Sequence, residues 1–249
     1  MTISFQFKQY IKFVFLFISA IFGTILYFYS GGTLEKLLIL YLISMALNMC
    51  STLALHRWLT HNQVIPKFWF RYFLFWTMIQ VPNLMKPFHY VIAHRIHHMN
   101  SDTDKDPHPP KLGFWSLFAG KFNQVSPVSI RDLLRQKDLM FLDKNFWWLM
   151  MLNWIIIFLI DPQIFYIMWL IHYFRGWTFT VLNNYFGHGS SIFQRPVNMP
   201  AWAVFLFLGE QLHKNHHDNP KKFFYGREGY SIDLTYYLTK YFVIENKSN

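Results

Sequence analysis

The sequence predicts an all-α integral membrane protein in which four transmembrane helices form two hairpins beneath a cytosolic helical cap. Three observations lead to this prediction. Of the 249 residues, 53% are hydrophobic and only 14% are charged, and long charge-free runs alternate with short basic segments. Soluble domains carry about 25% charged residues. Because the deficit is concentrated in a few stretches, it indicates membrane spans rather than one large apolar core.

The first predicted hairpin consists of residues 13–34 and 37–55, neither of which contains a charge. Each run is long enough to cross about 30 Å of hydrocarbon at about 1.5 Å per residue. The sequence Ser-Gly-Gly-Thr at 30–33 supplies the turn. A signal peptide is the alternative for the first run, since Lys8 and Lys12 precede it. The length of the run and the immediate second span favour a membrane hairpin.

The second predicted hairpin consists of residues 145–160 and 163–183, with a turn at Asp161-Pro162. The third run is short for a span, so the sequence does not fix its ends. Arg175 interrupts the fourth run, and we expect its long side chain to snorkel towards the membrane surface.

The remaining residues, about 56–144 and 184–249, form the predicted cap of a single domain that covers residues 1–249. Within the cap, residues 64–100 are rich in aromatic side chains but interrupted by basic residues and prolines. This composition predicts a helix that lies in the membrane interface. Residues 101–145 carry most of the remaining charge and are predicted to be water-exposed.

The net charge of +10 indicates membrane orientation rather than nucleic-acid binding. The basic residues flank the apolar runs, whereas the two short turns contain only Lys36. The positive-inside rule then assigns both termini and all the histidine clusters to the cytoplasm. We expect a bacterial inner membrane in preference to the endoplasmic reticulum. The single cysteine, Cys50, excludes an internal disulfide and any thiolate-built zinc or iron–sulfur site.

Nine of the twelve histidines form three tight clusters and one outlier just outside the apolar runs. Neutral imidazole is the commonest metal ligand among side chains. Residues at i, i+3 and i+4 share a helix face, so we expect the three histidines of each HxxHH motif to converge. His56 and His61 are five apart and would reach two different metals or span a helix end. The histidines are His56, His61, His94, His97, His98, His188, His213, His216 and His217.

Nine ligands are too many for one ion, so the sequence predicts a dinuclear metal site in the cap. Imidazole ligation suits zinc, copper, iron or nickel, and spacing alone does not choose among them. Two irons would suit oxygen activation against an unactivated C–H bond. Two zincs would suit hydrolysis, but no nucleophile motif accompanies the histidines. Interfacial histidines that bind anionic lipid would not explain the repeated spacing.

As a set, these motifs resemble the three histidine boxes of the membrane-bound fatty acyl desaturases, in particular the Δ9, stearoyl-CoA-desaturase-like branch. The resemblance runs from about residue 35 to residue 225. The matching motifs are His56-Arg57-(x)3-His61, His94-Arg95-x-His97-His98, Asn184-(x)3-His188 and Gly209-Glu210-(x)2-His213-x-Asn215-His216-His217.

The resemblance implies a mushroom of four transmembrane helices under a cytosolic cap with two iron ions. The nine histidines would be the ligands, and Asn184 would act through water. The family reaction removes two hydrogens from a saturated acyl chain, carried as an acyl-CoA or acyl-lipid in a bent apolar tunnel. It uses O2 and two electrons, which here would come from a separate ferredoxin or cytochrome b5. Tyr90 and Ala93 replace a Trp and an acidic residue that are common before the second box, and no ligand is lost.

Four further residues have candidate roles around the site. Glu210, three residues before His213, can hydrogen-bond a ligand imidazole, as such ligands usually require. Asp106 can support the second box, whereas a calcium loop is excluded because its sixth and twelfth positions are Pro107 and Gly113. Arg57 and Arg95 either bind the substrate headgroup or pair with aspartates of the cap.

Two other functions are open from the sequence. A related hydroxylase of lipid, sterol or carotenoid substrates would use the same centre, although such enzymes more often show HxxxH in the first box. A histidine-rich metal transporter or sensor would have ligands along its spans. Only His172 lies deep in a span, and we expect it to be a satisfied interior histidine. His89 and His108 are expected to be cap residues.

Overall fold

The computed structural model of the chain describes residues 5–80, 85–107, 109, 130–190, 195–227 and 231–246. These residues are mostly helical, as predicted. Two helices in this part of the chain are long and apolar enough to cross a membrane, Leu34–Thr60 and Lys137–Ile160. The predictions for His108 and for the cap between residues 110 and 129 lie outside the described residues.

The first hairpin consists of α1 (Phe5–Tyr29) and α2 (Leu34–Thr52), which continues without a break as π-helical turns over Leu53–Thr60. The predicted first span ended too late, because the turn already begins at Ser30. Gly31 has φ +84°, which favours glycine, and a Cβ on Gly32 would lie 2.4 Å from the ring of Tyr27. Thr33 caps α2 by accepting a hydrogen bond from the amide of Lys36.

The second hairpin begins earlier than predicted. Helix α6 spans Lys137–Ile160, so the third run is 24 residues long. Its first two turns contain charged residues, so the apolar run alone does not show where the helix begins. Asp161 caps the next helix, which runs through α7 (Pro162–Ile164), π-helical turns at Phe165–Trp169 and α8 (Leu170–Gly187). The side chain of Arg175, predicted to snorkel, is outside the described part of the structure.

The two hairpins pack against each other, and their turns meet at one end of the bundle. Helix α1 packs on the π-helical turns at Phe165–Trp169 and on α8. Both of these segments also contact α2. Lys36 Nζ lies 2.7 Å from Asp161 Oδ2 and 2.7 Å from Gln163 Oε1. Gln163 Nε2 in turn donates to the carbonyl of Ser30 at 2.6 Å. These polar contacts therefore join the two turns at the end opposite the histidines.

The interfacial helix predicted over residues 64–100 is wrong, because this segment contains a strand and two helices. Strand β1 (Val64–Pro66) is followed by α3 (Phe68–Gln80) and α4 (Pro87–Asn100). Helix α3 packs on α2 and α6 rather than lying alone. Pro87 begins α4 with Lys86 as its N-cap, because proline is favoured at the first position of a helix.

The rest of the cap consists of short elements that cover the end of the bundle. β1 pairs in antiparallel register with β2 (Val243–Glu245), with Val64 opposite Glu245, so the described part of the predicted all-α fold also contains a small two-stranded sheet. Buried apolar side chains from the π-helical turns, α3, α4 and α6 form the core beneath the histidines. The short elements are α5 (Arg131–Leu134), a 3-10 turn (Ala201–Ala203), α9 (Val204–Phe207), α10 (His213–Asp218), α11 (Leu234–Thr239) and β2 (Val243–Glu245).

Candidate metal centre

The π-helical turns bring His56 and His61 to the same side of the chain. A π-helix closes hydrogen bonds between residues i and i+5, and the amide of His61 donates to the carbonyl of His56 at 3.1 Å. Both imidazoles therefore face one group of histidines. The expectation that they reach two different metals is wrong, and the alternative that they span a helix end is correct, because His61 caps these turns.

Each HxxHH motif divides its histidines between two groups, contrary to the prediction that all three converge. On α4, His94 and His98 lie in one group and His97 lies in the other. Adjacent helical residues are about 100° apart, so His97 and His98 cannot face the same point. On α10, His213 and His217 share a group, whereas His216 joins the first. In both motifs the i, i+4 pair stays together.

The nine histidines thus form two groups, each compact enough to hold an ion. Within each group, one nitrogen from every imidazole lies within 4.8 Å of all the others. The five-histidine group and the four-histidine group consist respectively of His56, His61, His94, His98 and His216, and of His97, His188, His213 and His217.

The spacing of the imidazole nitrogens fits metal coordination. The Nε2 atoms of His216 and His98 are 2.9 Å apart, and those of His213 and His188 are also 2.9 Å apart. Two nitrogens bound at about 2.1 Å to one ion are about 3.0 Å apart at a right angle. His61 Nε2 is buried and has no hydrogen-bond partner among the described residues. An unsatisfied buried nitrogen that faces four other imidazoles is accounted for by an ion.

Carboxylates hold the outer nitrogens of three histidines. Nδ1 of His56 lies 2.8 Å from Glu210 Oε2, and Nδ1 of His97 lies 2.9 Å from Asp106 Oδ2. Nδ1 of His188 lies 3.0 Å from Asp102 Oδ2. A carboxylate that accepts the Nδ1 proton leaves the Nε2 lone pair available to a metal.

These contacts refine the roles given to the acidic residues. Glu210 contacts His56, not its neighbour His213, and Asp106 contacts the second box. Sequence reasoning missed Asp102, which has φ +61° and accepts from a histidine 86 residues away. The aspartate-rich segment after the second box was its only signal in the sequence.

The two arginines of the boxes make ion pairs with carboxylates, which is the second of the two roles predicted for them. The side chain of Arg57 is fully buried between Asp233 and Glu210. Arg95 binds both carboxylate oxygens of Asp132 at 2.8 Å and also donates to the carbonyls of Leu59 and Thr60.

Burial favours the neutral form of four of the imidazoles. Desolvation, and then the neighbouring imidazoles, lower the pKa of His61, His94, His213 and His216 well below the usual value of histidine. Burial alone would raise the pKa of Glu210, but Arg57 and His56 lower it to about 2. The centre therefore combines four imidazoles whose neutral form is favoured with an ionised carboxylate beside His56.

A cavity of about 60 Å³ touches both histidine groups. His56 and His94 of the first group line it, as does His213 of the second. Asn184, the predicted water-mediated ligand, also lines this cavity. Apolar side chains from α2, α8 and α9 form much of the remaining wall, including Met49, Phe179, Leu206 and Phe207.

Other histidines lie apart from the centre. His172 is 1% exposed and makes a 2.8 Å contact between its Nδ1 and the hydroxyl of Ser44, as expected of an interior histidine. His89 is exposed on α4, in the cap as predicted.

Comparison with known proteins points to one family. The sequence profile described as Fatty acid desaturase matches residues 34–226. An sn-1 stearoyl-lipid 9-desaturase of Anabaena variabilis is 29% identical over 238 residues, covering 89% of this chain and 84% of that protein. Two Arabidopsis thaliana proteins are also similar. Delta-9 desaturase-like 2 protein is 30% identical over 223 residues, covering 81% and 71% of the two chains, and Delta-9 acyl-lipid desaturase 2 is 27% identical over 225 residues, covering 78% and 67%.

The matched region contains all nine clustered histidines, and the profile covers well over half of the chain. The predicted resemblance is therefore confirmed, and with it a membrane-associated, metal-binding enzyme. The chain belongs to the fatty acid desaturase family and is an oxidoreductase that desaturates fatty acyl chains.

Proposed function

We propose that this enzyme introduces a double bond at the Δ9 position of a saturated fatty acyl chain, using O2 and two electrons from a separate ferredoxin or cytochrome b5. The reaction balances when the acyl chain loses two vicinal hydrogens and O2 takes up four electrons and four protons to give two waters. Two electrons come from the C–H bonds and two from the donor. The observation that carries the proposal is the pair of histidine groups on one cavity.

The proposed ligands are the nine histidines of the two groups, with Asn184 holding a water beside the four-histidine group. Iron is proposed at both positions, where it would supply the activation of O2 that organic side chains cannot provide. The chain itself orients the imidazoles, favours the neutral form of four of them through burial and excludes bulk water. His56, His94 and His213 line the cavity, so an acyl methylene pair in this cavity would lie next to both groups.

The acyl carrier is proposed to be a membrane lipid or coenzyme A. The names of the relatives from Anabaena variabilis and Arabidopsis thaliana include stearoyl-lipid and acyl-lipid Δ9 desaturases, which supports a saturated lipid-linked chain. The apolar cavity wall from α2, α8 and α9 suits a hydrocarbon chain rather than a polar substrate.

We propose that all four long helices span the membrane and that residues 1–249 form one domain. The contact between Lys36 and Asp161 supports this topology, because it joins both hairpin turns at the end opposite the histidines. Two hairpins with their turns on one side have all their termini on the other. The positive-inside rule then assigns both termini and the centre to the cytoplasm, and a bacterial inner membrane remains the predicted location.

Expression in a bacterial host tests the proposal through the fatty-acid profile, measured by gas chromatography–mass spectrometry with location of the double bond. We expect a new Δ9 monounsaturated acid. His94→Ala removes a proposed ligand and should abolish the product, whereas His89→Ala changes an exposed histidine on the same helix and should retain it.

A hydroxy acid in place of the alkene would show the alternative hydroxylase. A double bond at another position would overturn the Δ9 assignment and keep the desaturase. A product that persists in His94→Ala would overturn the proposed ligand set.

A further inference from the structure

We propose that Arg57 is a positioning residue for the five-histidine group alone, acting through Glu210 on the imidazole of His56. The inference rests on the proposed function, in that it takes the two histidine groups to be ion sites. The inference goes beyond the proposed function in two ways. It assigns different outer hydrogen-bond partners to the ligands of the two ions, and it gives Arg57 a role other than substrate binding.

The geometry begins at the imidazole. Glu210 is bridged between a ligand and a cation, with its Oε2 2.8 Å from His56 Nδ1 and its Oε1 3.0 Å from Arg57 Nε. The second guanidinium nitrogen of Arg57 lies 2.9 Å from the same Oε1. One carboxylate oxygen therefore serves the imidazole while the other is held in a fixed direction by the arginine.

Arg57 itself is fixed on all sides. A guanidinium has five N–H donors, and here each has an acceptor within 3.0 Å. Two are directed to Glu210, two to the carboxylate of Asp233 and one to the carbonyl of Phe223. The ring of Tyr225 lies over the guanidinium, 4.0 Å from its centre. Lysine cannot replace this arrangement, because it has three donors and no planar fork.

The contacts of Arg57 require a glycine at position 209. Gly209 has φ +129°, and a Cβ there would lie 2.3 Å from Asp233 Oδ1 and 2.9 Å from a guanidinium nitrogen of Arg57. Asp233 also caps α11 and accepts from the amide of Tyr225. Arg57 thus joins the π-helical turns of the first box to the C-terminal segment. The ring of Tyr225, which lies over its guanidinium, contacts the rings of His56 and His216, both of which belong to the five-histidine group.

The four-histidine group has a different support. His97 and His188 are held by Asp106 and Asp102, which come from the loop after α4. Asp102 donates its backbone amide to Asp106 at 3.0 Å, so these two carboxylates form a unit. Removing the carboxylate partner of one group should therefore weaken the binding of one ion and leave the binding of the other unchanged.

The test is a titration of the metal-free, full-length protein in detergent with Co2+, followed through the visible absorption of the bound ion. The wild type should bind two ions per chain. Arg57→Lys should weaken one of the two binding events by about 10- to 100-fold, the usual effect of removing an outer partner of a ligand, and leave the other unchanged. Glu210→Gln, which preserves shape, should give the same one-site effect and guards against misfolding of the arginine variant.

Two comparisons separate positioning from general stability. Arg71→Lys disrupts a comparable two-point ion pair with Asp138, which includes no histidine, and should leave both binding events intact. Asp106→Asn should weaken one event, and the double variant with Arg57→Lys should weaken both. A merely structural role for Arg57 would weaken both events together.

The inference is overturned if Arg57→Lys and Glu210→Gln both bind as the wild type does, or if they weaken the two events equally. It is also overturned if the double variant with Asp106→Asn still binds one ion normally. A wild type that binds no Co2+ at all would overturn the proposed function itself, which is a different and separately visible result.

Discussion

Gly187→Ala should impair metal binding while leaving the fold intact. Gly187 ends α8 immediately before His188, and its φ is not in the left-handed region, so alanine fits the backbone. A Cβ at this position would lie 2.7 Å from Cγ and 2.8 Å from Cδ2 of the His213 ring. The glycine therefore lets α8 pack directly on a proposed ligand.

The size of the effect follows from these distances. Ordinary van der Waals contact begins at 3.4 Å, so the ring must retreat by about 0.7 Å. Metal–ligand distances vary by only about 0.2 Å, so a shift of this size removes His213 as a good ligand. We expect about 10- to 100-fold weaker binding at the four-histidine group. Gly187 is the last residue of α8 and its φ is not positive, so alanine should not strain the backbone of the metal-free protein.

The assay combines metal titration with the thermal midpoint of the metal-free protein. Gly31→Ala is the matched control, because it strains a left-handed turn at φ +84° with no neighbour within 4 Å. It should cost about 1 kcal/mol of stability and leave both ions bound. Normal binding of two ions by Gly187→Ala would refute the account of how α8 and His213 pack.

Three further predictions concern the carboxylates, the turn contact and pH. Asp102→Asn should weaken the binding of one ion by about 10-fold in a metal titration, because the asparagine side chain is a poorer acceptor for His188 Nδ1 than a carboxylate. Unchanged binding would contradict this. Lys36→Met should lower the free energy of unfolding by about 0.5–1 kcal/mol, because the ion pair with Asp161 is about one third exposed, whereas Glu35→Gln at an exposed position should be neutral in the same thermal melts. Buried neutral histidines have a lowered pKa when folded, so the unfolded chain takes up protons first as the pH falls. The free energy of unfolding of the metal-free protein should therefore be flat above about pH 6.5 and fall below it by up to about 1.4 kcal/mol per pH unit for each such histidine. The thermal midpoint should fall with it, and a constant midpoint would contradict the burial.

The sequence predicts the parts of this molecule that depend on local spacing. The apolar runs and the turns at Ser30 and Asp161 identify the hairpins, and the HxxHH motifs identify the centre. The i, i+4 rule correctly pairs His94 with His98 and His213 with His217. Each of these features is confined to a few consecutive residues.

The parts that the sequence does not predict depend on distant segments or on irregular backbone. Regular helix geometry separates His56 from His61, and only the π-helical turns reunite them. The step of about 100° between adjacent helical residues separates His97 from His98. Which histidines of α4 share a group with which histidines of α10 depends on how these two helices face each other, and no spacing within either motif contains this. Arg57 pairs with Asp233, which is 176 residues away in the sequence. No local pattern could therefore distinguish this ion pair from binding of the substrate headgroup.

The most direct measurement of the central claim is the metal content of wild-type enzyme purified in a state that still desaturates an acyl substrate. Elemental analysis of that preparation should give about two irons per chain, since the two histidine groups offer five and four ligands. Active enzyme that contains a single ion, or zinc in place of iron, would contradict the account.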